Sequence, residues 1–151
     1  MKFKVAFTIV ALLMTTAITT FAQAPKLEGA YKFVSVKFQG GEQTEAQRKG
    51  IIVVHGKYMA YVAAGVDRKS WTQEEPEADR MKKIVEAFNG LSATAGPFEI
   101  QGDVITLNQH AQAVPGSMGK PSKWIFKLDG NKLSLKPSAN TNVEFTFERL
   151  P

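Results

Sequence analysis

The residues able to exchange a proton near neutral pH are few: His55 in "VVHGKY" and His110 in "LNQHAQ". Nucleophilic catalysis needs a serine or cysteine, a base and an orienting acid that converge in space. Neither histidine stands in a motif that supplies such a set, and the chain has no G-x-S-x-G, no phosphate-binding glycine loop and no paired-carboxylate motif. Two histidines 55 positions apart, with no cysteine and no HExxH, provide no local cluster of metal ligands. No catalytic residue, metal or other cofactor is therefore expected. His55 reads as an exposed turn residue and His110 as an outward residue at a strand end. The remaining enzymatic option is an isomerase or cyclase that works inside a cavity with one or two polar groups. Tyr61 and Gln109 are the candidates, and structural hydrogen bonding is the simpler role for each.

The elements that must position these groups are short runs rich in Val, Ile, Phe and Tyr, punctuated by glycine turns. This pattern predicts antiparallel strands over 29–38, 50–55, 57–64, 94–101, 103–110, 122–129, 131–136 and 142–149. Eight such segments in one domain indicate a barrel or a sandwich. In "KWIFKLDGNKLSLK" a two-residue turn at Asp129-Gly130 pairs Leu128 with Asn131, Phe126 with Leu133 and Trp124 with Leu135. The large apolar residues except Ile125 then share one face and the lysines the other, as in a sheet wetted on one side. In "PFEIQGDVITLNQ" a turn containing Gly102 groups Phe98, Ile100, Ile105 and Leu107, and Gln109 continues that inner row. In "IIVVHGKYMAYVAA" both faces are apolar, and Met59 and Tyr61 are assigned inward on the expectation that a helix covers Tyr58 and its neighbours.

That helix is "EEPEADRMKKIVEAFNG", with Pro76 near its start, acidic residues in its first turn and Asn89-Gly90 as its stop. Met81, Ile84, Val85 and Phe88 recur at helical spacing, which predicts packing against the sheet or across one end. A sharper alternative is a lid, with Trp71 as the aromatic on its hinge side.

Residues 1–24 read as a secretory leader. Lys2 and Lys4 precede an apolar run, and Ala22-Gln23-Ala24 forms a small-x-small site before Pro25. The run is broken by threonines and falls short of the ~20 apolar residues of a membrane span. Export to the periplasm or the medium, cleavage and no stable membrane anchor are expected, leaving 25–151 as one domain. With no cysteine, neither a lipid on cysteine nor a disulfide supports it. Losing Lys2 and Lys4 lowers the formal charge from +5 to +3. The remaining basic residues are scattered, so no nucleic-acid partner is expected, and the domain is expected to be a monomer.

Gly29-Ala30-Tyr31 resembles the glycine-x-tryptophan signature on the first strand of lipocalins, with Tyr31 in place of tryptophan. In "NVEFTFERL", Val143, Phe145, Phe147 and Arg149 alternate onto one face, similar to the last lipocalin strand, whose arginine packs across the first-strand aromatic. The order of elements over the mature chain, with "GKYMAYV", "GPFEIQGDVITLNQHA", "PGSMG" and the terminal "FERL", is similar to short bacterial lipocalin-like domains. The resemblance implies an all-β, eight-stranded antiparallel up-and-down barrel with one helix between the third and fourth strands. It further implies a binding protein for one small apolar or amphipathic molecule, with Met59, Tyr61, Phe98, Gln109, Trp124, Phe126 and Phe145 facing the interior. Gly29, Tyr31 and Arg149 are expected to close one end. The alternatives are the cavity enzyme and a closed-core structural or interaction protein.

Overall fold

The computed structural model describes residues 27–151; the leader expected over 1–24 lies outside the described residues. Ten strands form one antiparallel sheet: β1 (Gly29–Phe38), β2 (Gly41–Thr44), β3 (Arg48–His55), β4 (Tyr58–Gly65), β5 (Leu91–Gln101), β6 (Val104–Asn108), β7 (Ala111–Gln112), β8 (Pro121–Asp129), β9 (Lys132–Pro137) and β10 (Glu144–Arg149). Helix α1 (Glu77–Asn89) joins β4 to β5, and a 3-10 turn at Pro115–Ser117 precedes β8. Eight strands, in the order β1-β3-β4-β5-β6-β8-β9-β10, follow one another up and down, and β10 pairs back onto β1 to close the barrel. The short β2 folds back on β1, and β7 pairs with β5.

The turns at Gly56, Gly102 and Gly130, where glycine takes a positive φ, gather at the end of the barrel where β1 starts and β10 finishes. This end is the floor. The opposite end, or mouth, carries the longer connections: the β2 excursion, the loop and helix before β5, residues 109–120 and residues 138–143.

Two expectations about register and packing need correction. The β8–β9 hairpin turns at Gly130-Asn131, so Leu128 pairs with Leu133, Phe126 with Leu135 and Trp124 with Pro137. Each residue meets a partner two places further along than expected. Because side chains alternate with period two, this slip keeps every residue on its face. The second correction concerns α1. Met81, Val85 and Phe88 are about half exposed, only Ala87 is buried, and Tyr58 is 54% exposed rather than covered. The helix hangs from the mouth by its C-terminal end, where Gly65 N–H donates to the Gly90 carbonyl at 3.2 Å. The preceding loop is tied to the helix by Lys83–Glu75 at 2.8 Å and by Arg80 donating to Gln73. Trp71 lies in that loop, 40% exposed.

The β3–β4 ladder pairs Ile52 with Tyr61 and Val54 with Met59. Ile52, Val54 and Met59 are buried, while Val53 and Val62 on the other face are more than 40% exposed, so Met59 and Tyr61 do face inward. Phe33, Phe147, Tyr61, Phe145 and Trp124 form a chain of edge-to-face and stacked rings, with centroids 5.8–6.5 Å apart, that runs from floor towards mouth. Such contacts add ~0.5–1.5 kcal/mol per pair beyond area burial. The barrel is thus largely filled by its own side chains.

Two carboxylates set an acid limit. The Gly56 N–H and His55, whose Nδ1 lies 2.6 Å from Glu28 Oε1, hold the Glu28 carboxyl below its ordinary value of 4.5. The Ser134 hydroxyl, then Lys136, do the same for Glu144. A lowered folded-state pKa gives stability that is present above the unfolded value and lost as pH falls through the folded one. Denaturant melts should therefore show no loss from these groups between pH 7 and 5 and a loss on going below 4.5. The double variant Glu28→Gln/Glu144→Gln should have a shallower acid slope; an unchanged slope would contradict the assignment.

Candidate functional site

At the floor, Tyr31 of β1 stands opposite Arg149 of β10 in the closing ladder. The Arg149 guanidinium lies over the Tyr31 ring with Cζ 4.6 Å from the centroid, and Nη1 donates to the Glu28 carbonyl. Gly29 makes the crossing possible: its φ is 128°, and a Cβ there would stand 2.8 Å from Arg149 Nη1. Tyr31 is fully buried, and its hydroxyl has no hydrogen-bond partner. Burial raises the phenol above its ordinary 10.0, with Arg149 opposing. These three residues pack together at the floor, where the first strand meets the last.

Above the floor a cavity of about 30 Å³ remains, with Ile52, Met59, Tyr61, Thr94, Leu135, Trp124 and Phe145 among its lining residues. Four expected interior residues, Met59, Tyr61, Trp124 and Phe145, therefore border it. Phe98 and Phe126 belong to the packed core and do not line it. Gln109 is buried but stands beyond the end of β6, where its main chain bonds to Lys120 and Gly119 in the mouth connection. Trp124 and Phe145 are half-buried, and Trp124 Nε1 donates to Ser122 Oγ at 3.0 Å.

On the mouth side the wall turns polar. Arg48 opens β3 on the inward row it shares with Gly50, Ile52 and Val54, and its Nη2 donates across β4 to Ser92 Oγ of β5 at 2.7 Å and to the Ala63 carbonyl at 3.5 Å. Gly50 and Ala63, paired in the β3–β4 ladder, keep this level low: a Cβ on Gly50 would stand 2.6 Å from that of Ala63. Tyr61 and Thr94 face each other across β4 and β5. The Thr94 hydroxyl is buried without a partner, and the buried Tyr61 hydroxyl and Arg48 Nε make no bond of full hydrogen-bond geometry, although the Tyr61 hydroxyl lies close enough to the Arg48 side chain to interact with it. Burial pushes the Tyr61 phenol above 10.0 and Arg48 pulls it back, so the hydroxyl remains a donor at neutral pH.

The outer surface of β3, β4 and β5 is apolar as well. A groove of about 460 Å³ runs between it and the helix end, lined by Ile51, Val53, Val62, Phe88, Ala95 and Ala113 among others. Both histidines border the adjoining groove with Tyr58. The His55 side chain is 91% exposed and bonded to Glu28, a position that shelters no substrate from water. Among the described residues no three His, Cys, Asp or Glu side chains are placed to hold a metal ion, and no helix is long and apolar enough to cross a membrane.

Arg48, Ser92 and Thr94 were not among the expected site residues. The signal for Arg48 was present: an arginine beginning the inward row Arg48-Gly50-Ile52-Val54 is the mirror of Arg149 ending the row Val143-Phe145-Phe147. Ser92 and Thr94 precede or begin the segment assigned to strand, and nothing local marks them. A comparison with protein-family models and one with curated proteins find no match to the chain.

Proposed function

We propose that this protein is an exported, lipocalin-like binding module, working as a monomer without a cofactor, that takes one small apolar or amphipathic molecule into the mouth half of its barrel. The observation that carries this reading is the asymmetry of the interior: a floor where Tyr31 and Arg149 pack together, beneath an apolar cavity bordered by Tyr61, Trp124 and Phe145. The export expectation rests on the leader-like residues 1–24, and the lipocalin likeness on Gly29-Ala30-Tyr31 and the row ending in Arg149.

Size limits the ligand. The cavity of about 30 Å³ is far smaller than the ~300–1,000 Å³ of pockets for drug-sized molecules. The body of a ligand therefore enters by turning Trp124 and Phe145 aside at the mouth. A thermal-shift panel of short fatty acids, alcohols and aromatic acids tests the reading. A true ligand at a hundredfold excess over its dissociation constant stabilises by ~2.7 kcal/mol. No stabilisation by any member, together with no enhancement of an apolar dye, would remove the container function.

A second reading, an interaction module that works through its outside, is favoured by the apolar groove over β3–β5 and the exposed Met81, Val85 and Phe88. Contiguous apolar surface of this kind marks interaction sites. Val53→Glu/Val62→Glu separates the two readings: it should leave small-molecule binding intact, and a loss of association with retained ligand binding would assign the outer face its own role.

A further inference from the structure

The polar groups beside the cavity say what kind of molecule fits it: Tyr61 and Thr94 line it, and Arg48, which does not, interacts with Tyr61. Arg48 is a cation in an inward, partly buried position, and among the described residues no carboxylate forms an ion pair with it. Residues 1–26 contain no Asp or Glu that could supply one. The carboxylate beside its strand partner Gly65 belongs to Asp67, whose Oδ1 lies 2.9 Å from where a Gly65 Cβ would stand, and it does not reach the guanidinium. A charge withdrawn from water is costly unless it is paired. Here the guanidinium has spent Nη2 on Ser92 and the Ala63 carbonyl, while Nε is buried and makes no bond of full hydrogen-bond geometry. Beside it stand the Tyr61 hydroxyl, which interacts with the guanidinium, and the Thr94 hydroxyl, which is buried without a partner, and both residues line the cavity.

A guanidinium with no carboxylate partner, a phenol that stays protonated and an apolar recess below them have one common complement. We infer that Arg48, with the Tyr61 hydroxyl beside it, seats the carboxylate head of a small amphipathic acid whose apolar body occupies the recess bordered by Trp124 and Phe145. The planar fork of arginine matches the two oxygens of a carboxylate. Thr94 lies lower on the wall, where it borders the body of the ligand near its head. This inference rests on the container reading and adds the class of ligand to it.

The test compares octanoate, octan-1-ol and octyl phosphate on the purified protein by isothermal titration. Octanoate should bind at least about tenfold more tightly than octanol, the ratio expected when a charged hydrogen-bonded pair replaces a neutral contact. Arg48→Gln should close that gap, Arg48→Lys should leave part of it, and Tyr61→Phe should weaken octanoate severalfold. The wild-type comparison of acid with alcohol carries the test even if Arg48→Gln fails to fold. Equal binding of acid and alcohol would overturn the carboxylate seat and leave the container standing. Octyl phosphate binding more tightly than octanoate would overturn the assignment to a carboxylate. If none of the three binds, the container reading falls and this inference falls with it.

Discussion

Gly96→Ala should be strongly destabilised. Gly96 lies in β5 at the point where its neighbour changes: from Phe98 to Gln101 the strand pairs with β6, and at Thr94 and Ala95 it pairs with β7. Between these ladders the chain folds sharply at residues 108–110, with His110 N–H donating to the Asn108 carbonyl at 2.9 Å. That fold passes directly over Gly96. A Cβ there would overlap the Asn108 carbonyl oxygen and stand 2.9 Å from its carbon and 3.0 Å from His110 N. These are backbone atoms fixed by ladders on both sides, so no side chain can rotate away to make room. Overpacking of a well-packed site costs ~1–3 kcal/mol and occasionally more, and a clash with main chain at a strand junction belongs at or above the top of that range. Against a typical total of ~5–15 kcal/mol, that is a large fraction. Gly116→Ala is the control: nothing lies within 4 Å of its Cβ position, so its stability should stay within ~0.5 kcal/mol of the parent. Urea denaturation of both variants checks the pair. A Gly96→Ala protein as stable as Gly116→Ala would mean that the 108–110 crossing is not formed as described.

The second large effect is at the floor. Tyr31→Ala removes a fully buried ring that packs beneath Arg149, and large aromatic-to-alanine changes cost ~3–5 kcal/mol. Arg149→Ala loses the contact over the ring and the bond to the Glu28 carbonyl, for ~1–3 kcal/mol. Because the two side chains act on each other, the double variant should cost less than the sum, with a coupling of at least ~0.5 kcal/mol. Tyr31→Phe isolates the hydroxyl. That group is buried and unpartnered, so its removal should not destabilise and should gain ~1 kcal/mol. Strict additivity in the cycle would show that the arginine and the ring do not work as a unit, and a loss on Tyr31→Phe would show that the hydroxyl has a partner.

The parts of this architecture legible in the sequence are those governed by alternation. Phe98, Trp124 and Phe145 could be placed on the inner face because each belongs to a row with apolar residues two places on, and the eight principal strands follow from glycine-punctuated runs; Met59 and Tyr61 were placed there only on the expectation that the helix covers Tyr58, which is exposed. The slipped β8–β9 register was not legible: Asp129-Gly130 and Gly130-Asn131 are both plausible two-residue turns, and the faces are the same in either. β2 and β7 were missed because "GEQT" and "AQ" are too short and too polar to show a period. For α1 the stripe of Met81, Ile84, Val85 and Phe88 was visible, but a stripe does not say what covers it, and here most of it meets water. The polar end of the cavity depends on side chains from β3, β4 and β5 meeting across the sheet. Only Arg48 announced itself, through its phase in the inward row.

The most direct test of the container is to see where a ligand lands. Methyl and indole NMR spectra of the protein titrated with octanoate report on both faces at once. Shifts are expected at the Met59, Ile52 and Leu135 methyls and at the Trp124 indole, groups that line the interior cavity, with the Val53 and Val62 methyls of the outer face unmoved. Shifts confined to Val53, Val62 and Ala95, with the interior signals still, would place binding in the outer groove and contradict it.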